Sequence, residues 1–130
     1  MANMQFDLVS PERMLASFEA TEVEIPGAEG DFTAMPDHQA LVTSMRPGVL
    51  KATGADTAEF VVSGGFVEVS ATSVSVLAEI AVPRGEINRE TLDAMIAEAE
   101  SAAAEATPEM KDSADKQVAD IRELATILSL

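Results

Sequence analysis

The chain holds one histidine, His38, and it lies close in sequence to Asp37, Asp31 and Glu29. An imidazole beside carboxylates is the raw material of a metal site or a proton relay. A metal site needs more nitrogen donors, or a tighter oxygen cage, than this stretch offers. A Ser-His-Asp triad would have to use the same histidine, and no G-x-S-x-G elbow accompanies the serines. His38 therefore reads as a surface-loop histidine with solvated neighbours. Gly27-Ala28-Glu29-Gly30 has the spacing of a G-x-x-G loop. Glu29 and Asp31 would repel a nucleotide backbone there, so the four residues read as a turn. Gly64-Gly65 reads as a structural turn and not an anion nest. Asp93 and Glu100 read as solvent-facing charges on a helix. No catalytic residue, metal or cofactor is expected from these patterns.

Composition narrows the classes further. The chain has 130 residues, 23 acids, 8 bases and a net charge of −15. Such a charge disfavours nucleic acid and bare anionic lipid. It suits partners with basic patches. The acids are spread along the chain, with 12 acids and 4 bases in residues 1–85 and 11 and 4 in residues 86–130. There is no cysteine, hence no disulfide framework and no thiol nucleophile. No signal peptide is visible at Met1 to Phe6, and no run approaches the ~18 apolar residues of a membrane span. A membrane role is expected only through partners.

Two periods organise the chain. Up to about Val82 it reads as short strands. Met4, Phe6 and Leu8 alternate with polar residues, an extended run follows over Leu15 to Ile25, and then Phe60–Val62, Phe66–Val69 and Val74–Ile80. Turn signals separate the runs at Ser10-Pro11, Pro26-Gly27, Pro36-Asp37, Pro47-Gly48, Gly54-Ala55-Asp56 and Gly64-Gly65. This spacing predicts an antiparallel flattened β-sandwich or barrel over residues 1–84. After Pro83-Arg84-Gly85 the period becomes helical. Asn88 is a good N-cap, with Thr91 as the alternative. Leu92, Met95, Ile96, Ala99, Ala102, Ala103 and Ala106 form one stripe, and Val118, Ile121, Leu124, Ala125 and Leu128 a second. Pro108 is placed to open the second helix. Residues 85–130 are thus expected to form an antiparallel two-helix hairpin with a weak, alanine-rich seam, giving an α+β chain.

The order of these blocks carries a resemblance. Leu8-Val9-Ser10-Pro11-Glu12 is followed by Pro26-Gly27-Ala28-Glu29-Gly30-Asp31-Phe32, then by Met35-Pro36-Asp37-His38. Leu41-Val42-Thr43, Arg46-Pro47-Gly48, Gly64-Gly65-Phe66-Val67-Glu68-Val69 and Val74-Ser75-Val76-Leu77-Ala78 complete the series. The series resembles the epsilon chain of bacterial F-type ATP synthases, called delta in mitochondria, over about residues 4–82. The resemblance implies a β-sandwich followed by a helical hairpin. It implies a non-catalytic rotor-stalk subunit that binds gamma and the c-ring and helps couple proton or other ion transport to ATP synthesis. Glu29, Asp31 and His38 would then face the c-ring, and Ser10 and Thr43 would lie toward gamma. The resemblance also implies contacts with the alpha and beta subunits through the hairpin. The implied location is peripheral, on the cytoplasmic face of the bacterial inner membrane.

Departures from the family pattern qualify this. Thr33 and Asp37 stand where the family usually has glycine, so the backbone there is expected to be less permissive. Some bacterial members bind ATP through an aspartate and, three residues on, an arginine followed by alanine. This chain has Asn88, Thr91 and Leu92 at those positions, with Arg89 out of register. Weak or absent ATP binding is expected. In some members basic hairpin residues meet acids on the catalytic subunits and block hydrolysis. The net −7 of residues 86–130 predicts weak inhibition instead. The alternative to the whole reading is a free-standing β-sandwich ligand-binding module with a helical cap. With five phenylalanines and no tryptophan or tyrosine, it would be a poor platform for sugar stacking.

Overall fold

Successive residues of a strand point to opposite faces, so Met4, Phe6 and Leu8 share one face and Gln5 and Asp7 the other. In the computed structural model, which describes residues 3–130, the three apolar side chains are buried. They lie on β1, Met4–Val9. Eight strands follow: β2 Met14–Gly27, β3 Gly30–Ala34, β4 Leu41–Met45, β5 Gly48–Gly54, β6 Thr57–Val62, β7 Gly65–Val69, β8 Ser73–Ala78 and β9 Ala81–Pro83. A 3-10 turn, Arg84–Glu86, precedes helices α1, Arg89–Glu105, and α2, Lys111–Ile127. The chain divides into two compact units, Met1–Arg84 and Gly85–Leu130. The first two residues of the sandwich as read from sequence lie outside the described residues.

The strands form the expected β-sandwich, and β2 joins its layers. Its first half pairs with β1, from Met4↔Ala20 to Val9↔Met14. Its second half pairs with β3 on one side and β5 on the other, so Val23 faces both Ala34 and Ala52. A register shift between Ala20 and Glu22 marks the change of partners. A strand that passes from one layer to the other in this way turns a sandwich corner. One ladder departs from the antiparallel expectation: β1 runs parallel to β8, with Phe6 beside Val74 and Leu8 beside Val76. Parallel neighbours require a long connection, and here the whole of β2 to β7 supplies it. Between the layers Phe6 and Phe18 meet edge to face at 5.3 Å, amid Leu8, Val23, Ile25, Leu50, Val67 and Val76.

Four strands, β3, β4, β5 and β9, add to the five runs legible by alternation. The run read as Val74–Ile80 stops at Ala78, and Ile80 sits in the bend before β9. Gly64 and Gly65 cross that bend with φ of 136° and 139°. A side chain at Gly65 would collide with the Leu77 carbonyl of β8, so the glycine is needed for close strand approach.

In the second unit Asn88 caps α1. Its Oδ1 accepts from the Thr91 amide at 2.8 Å and from the Thr91 hydroxyl at 3.0 Å. Leu92, Met95 and Ala103 of α1 are buried with Val118, Ile121 and Leu124 of α2. Ala102 faces solvent, because Ala99, Ala103 and Ala106 already occupy the seam. Pro108 lies in the turn Thr107–Met110 and not in the first turn of α2, which begins at Lys111 without a side-chain cap. The helices run antiparallel: Arg122 reaches Glu100 at 2.8 Å, and the Lys111 amine donates to the Ala103 carbonyl at 3.2 Å.

Candidate interaction surfaces

The turn that carries Glu29 is tight because its flanking residues permit it. Gly27 and Gly30 close the β2–β3 hairpin as its last pair, leaving Ala28 and Glu29 as the connection. A Cβ on Gly27 would lie 2.7 Å from the Gly30 carbonyl oxygen and 3.0 Å from the Phe32 ring. Neighbouring backbone fixes the turn in place. The Ala28 amide donates to the Ser44 carbonyl at 2.9 Å, and the Arg46 amide to the Pro26 carbonyl at 3.0 Å. The Arg46 guanidinium then donates to the Gly27 carbonyl at 2.6 Å and to the Asp31 carboxylate at 2.5 Å. Glu29 is exposed at the tip, and its carboxylate makes no hydrogen bond or ion pair.

His38 stands in the β3–β4 loop, whose backbone is pinned by His38 N–H to the Met35 carbonyl and Asp37 N–H to the Ala71 carbonyl. The ring is half-buried, 6.4 Å from the Phe32 ring, and its Nδ1 lies 2.6 Å from the Gln39 carbonyl oxygen. Phe32 thus brings the two loops side by side. Asp37 adopts φ 67°. This is the left-handed region that glycine takes freely and aspartate tolerates. Thr33 lies in the extended β3 ladder opposite Glu24, where no glycine is required. Of the two altered positions, only Asp37 bears a conformational cost.

A second surface was not visible as such in the sequence. The ladders align Ser44, Phe66, Leu77, Val9 and Met14 in one row across β4, β7, β8, β1 and β2. The next row is Val42, Glu68, Ser75, Asp7 and Ser17. Phe66 is 62% exposed, Leu77 58%, Met14 59% and Val42 72%. Val42, Phe66 and Leu77 line a shallow groove of about 180 Å³ together with Val67, Glu68 and Ser75. The signal for this patch is an apolar residue in the polar phase of an otherwise amphipathic strand, as Leu77 is between Val76 and Ala78. Beside the patch, Ser17 and Gln5 donate to Asp7 Oδ1 at 2.6 and 3.0 Å. Ser17 chiefly, and then Gln5, hold the Asp7 carboxyl below the usual carboxylate range.

Ser10 follows Val9 just past the end of β1, and its amide and hydroxyl both donate to the Arg13 carbonyl. Thr43 lies between Val42 and Ser44 on β4 but on the opposite face, paired with buried Val67. Among the described residues no three histidine or carboxylate groups converge as metal ligands, and no helix is long and apolar enough to cross a membrane.

The fold has known counterparts. The model of the ATP synthase delta/epsilon chain β-sandwich domain matches residues 3–84. An ATP synthase epsilon chain from Fuscovulum blasticum is 52% identical over 122 residues, covering 93% of this chain and 92% of that one. The epsilon chain from Rhodobacter capsulatus is 49% identical over 128 residues, covering 98% and 97%. A chain in the cryo-EM structure of the Euglena gracilis mitochondrial ATP synthase OSCP/F1/c-ring assembly shares the fold. It has a TM-score of 0.72 and 22% identity, over 98% of this chain and 82% of that one. The protein therefore belongs to the ATP synthase delta/epsilon chain family. Its place in that family is as an accessory subunit of the ATP synthase, not a catalytic one.

Proposed function

We propose that the chain works in the central stalk, holding gamma with the outer face of its sandwich and meeting the c-ring with its Glu29 and His38 loops. The observation that carries this reading is the apolar row of exposed Phe66, Leu77 and Met14 with half-buried Val9 among them, and exposed Val42 beside it. Contiguous apolar side chains on an open sheet face mark a protein contact. Glu68 and Asp7 border the row and suit basic side chains at the rim of the gamma surface. Ser10 follows Val9 at the margin of this contact, whereas Thr43 points to the opposite face of β4, and its role toward gamma rests on family membership alone. The c-ring role of Glu29, Asp31 and His38 rests on family membership and on the shaped turn that presents them. The corresponding location is peripheral, at the cytoplasmic face of the bacterial inner membrane, reached through these partners.

Phe66→Glu tests the gamma contact. A charge at the centre of the row is expected to weaken gamma binding about thirtyfold or more. Phe66 lies outside the core, so the sandwich melting temperature should hold. Undiminished co-purification of the variant with gamma would sink the reading.

The hairpin is proposed to inhibit hydrolysis weakly and to bind ATP weakly or not at all. Each of its four basic side chains has an acid partner within the hairpin: Arg89–Asp93, Lys111–Asp115, Lys116–Asp120 and Arg122–Glu100. Such surface pairs are individually weak, but they leave no excess cation for acids on the beta subunits. At the start of α1 the Asn88 oxygen is engaged by Thr91, and Leu92 is buried. With Arg89 paired to Asp93, this turn keeps no free cation for a nucleotide phosphate. ATP hydrolysis by the assembled complex, with this chain cut after Glu86, should stay within about twofold of the intact complex. A tenfold rise on truncation would refute weak inhibition.

A further inference from the structure

We infer that Arg46 is the positioning residue of the c-ring-facing turn, with Asp31 as its internal anchor and Glu29 as the one free carboxylate offered to the partner. The inference rests on the c-ring reading above and divides labour among residues which that reading treats alike.

Arg46 lies between β4 and β5, and its side chain crosses both strands of the β2–β3 hairpin just below the turn. One guanidinium nitrogen donates to the Gly27 carbonyl at 2.6 Å and the other to Asp31 Oδ1 at 2.5 Å. Gly27 ends β2, and Asp31 pairs with Pro26 across the ladder. The Pro26 carbonyl faces the β4–β5 connection and not β3, so the Pro26–Asp31 pair carries no backbone hydrogen bond of its own. A planar fork with two donors set at a fixed angle ties both strands to the β4–β5 connection instead. The Arg46 backbone adds a third tie through its amide to the Pro26 carbonyl. The Arg46 side chain is 32% exposed and that of Asp31 77%. The guanidinium is thus sheltered under the turn while its anchor faces water.

The charge consequence is specific. Asp31 and Arg46 neutralise one another, and the turn presents one net negative charge, on Glu29. A basic side chain on a c-ring loop would meet Glu29 at the tip and find Asp31 already engaged. Arg46 governs where that tip stands.

The two possible roles of Asp31 give opposite signs. If Asp31 itself contacts a basic c-ring loop, Arg46→Ala frees its charge and binding tightens. If Arg46 positions the turn, Arg46→Ala weakens binding. The experiment uses the full chain bound to gamma and measures affinity for detergent-solubilised c-ring at several salt concentrations. Arg46→Ala is expected to weaken binding roughly fivefold to tenfold, with faster hydrogen exchange at the Ala28 to Gly30 amides and gamma affinity unchanged. Asp31→Ala should match it, and the double variant should lose no more than either single one. Arg46→Lys, which has no fork, should recover only part of the loss. Glu29→Gln should weaken binding and flatten its salt dependence, whereas Arg46→Ala should leave that dependence in place.

Unchanged or tighter binding with Arg46→Ala, while Glu29→Gln weakens it, overturns this inference alone. No effect from either variant overturns the c-ring reading as well. Should Arg46→Ala fail to fold, Asp31→Ala decides by itself. Asp31 is exposed, and a loss equal to that of Glu29→Gln with the same flattened salt dependence would mark it as a direct contact.

Discussion

The sandwich and the hairpin hold their shapes by different means. In the first unit Phe6, Leu8, Val23, Ile25, Leu50, Val67 and Val76 close a core between layers. Partners on β1 and β8, or β5 and β6, come from distant parts of the chain or from hairpins stitched into one sheet. In the second unit six side chains are buried, one of them an alanine. Three of its four ion pairs join residues four apart on one helix. Burial scales with apolar area at about 25 cal/mol per Å², so an alanine contributes little to a seam. One unit is a rigid carrier of surfaces; the other is assembled from local, interchangeable contacts.

Matched truncations should expose this contrast. Phe6→Ala is expected to destabilise the sandwich by about 3–5 kcal/mol, read from urea unfolding. Leu124→Ala should cost about 2–4 kcal/mol and confine its effect to the helices. Amide exchange would then quicken over α1 and α2 while β1 and β8 stay protected. Loss of sandwich protection in Leu124→Ala would erase the distinction between a self-sufficient unit and a local one.

A smaller effect sharpens the picture inside the rigid unit. Asp37 holds φ 67°, a conformation that glycine adopts at lower cost. Asp37→Gly should therefore be stabilising or neutral, by at most about 1 kcal/mol, visible as a rise of a few degrees in melting temperature. A fall would mean that the aspartate carboxylate supports the loop in some other way.

The smallest effect concerns pH. The Asp7 carboxyl is held below its ordinary range by Ser17 and Gln5. A depressed folded-state pKa contributes stability above the unfolded-state value, and that contribution is lost as pH falls through the folded one. Asp7→Asn should therefore be slightly less stable than the parent at neutral pH, and the gap should close on acidification below the usual carboxylate range. Because Asp7 lies on an outer face, solvent screening keeps the gap small. A gap that persists unchanged in acid would trace the effect to geometry and not to charge.

Legibility in the sequence followed the same division. Met4, Phe6 and Leu8 announced β1, since one phase of the strand is apolar and the other polar. Asn88 announced the start of α1 by its capping chemistry. The strands that escaped notice break one of these rules. β4 carries Leu41 and Val42 in adjacent positions, both exposed, so it shows no clean alternation. β3 is five residues long and begins with glycine, and β9 has only three residues. β5 alternates Leu50 and Ala52 with Lys51 and Thr53, but Pro47-Gly48 and Gly54-Ala55-Asp56 on either side draw attention to turns. Turn chemistry placed Glu29 correctly at a tip. The Arg46 fork could not be foreseen, because Asp31 and Arg46 are fifteen residues apart and only the folded register brings them together. The apolar row was hidden for a similar reason. Its members come from separate strands, and the out-of-phase Phe66 and Leu77 do not by themselves show that they adjoin.

The continuity of β2 has a mechanical meaning. At about 3.3 Å per residue its fourteen residues make a contour of roughly 45 Å, from Met14 beside the apolar row to Gly27 below the Glu29 turn. A tug on the turn travels along covalent bonds in tension. The flanking ladders to β1, β3 and β5 resist in shear, many hydrogen bonds at once, and do not unzip one by one. A strand anchored in both layers is thus a tie-rod, and it joins the two surfaces by one continuous run of backbone.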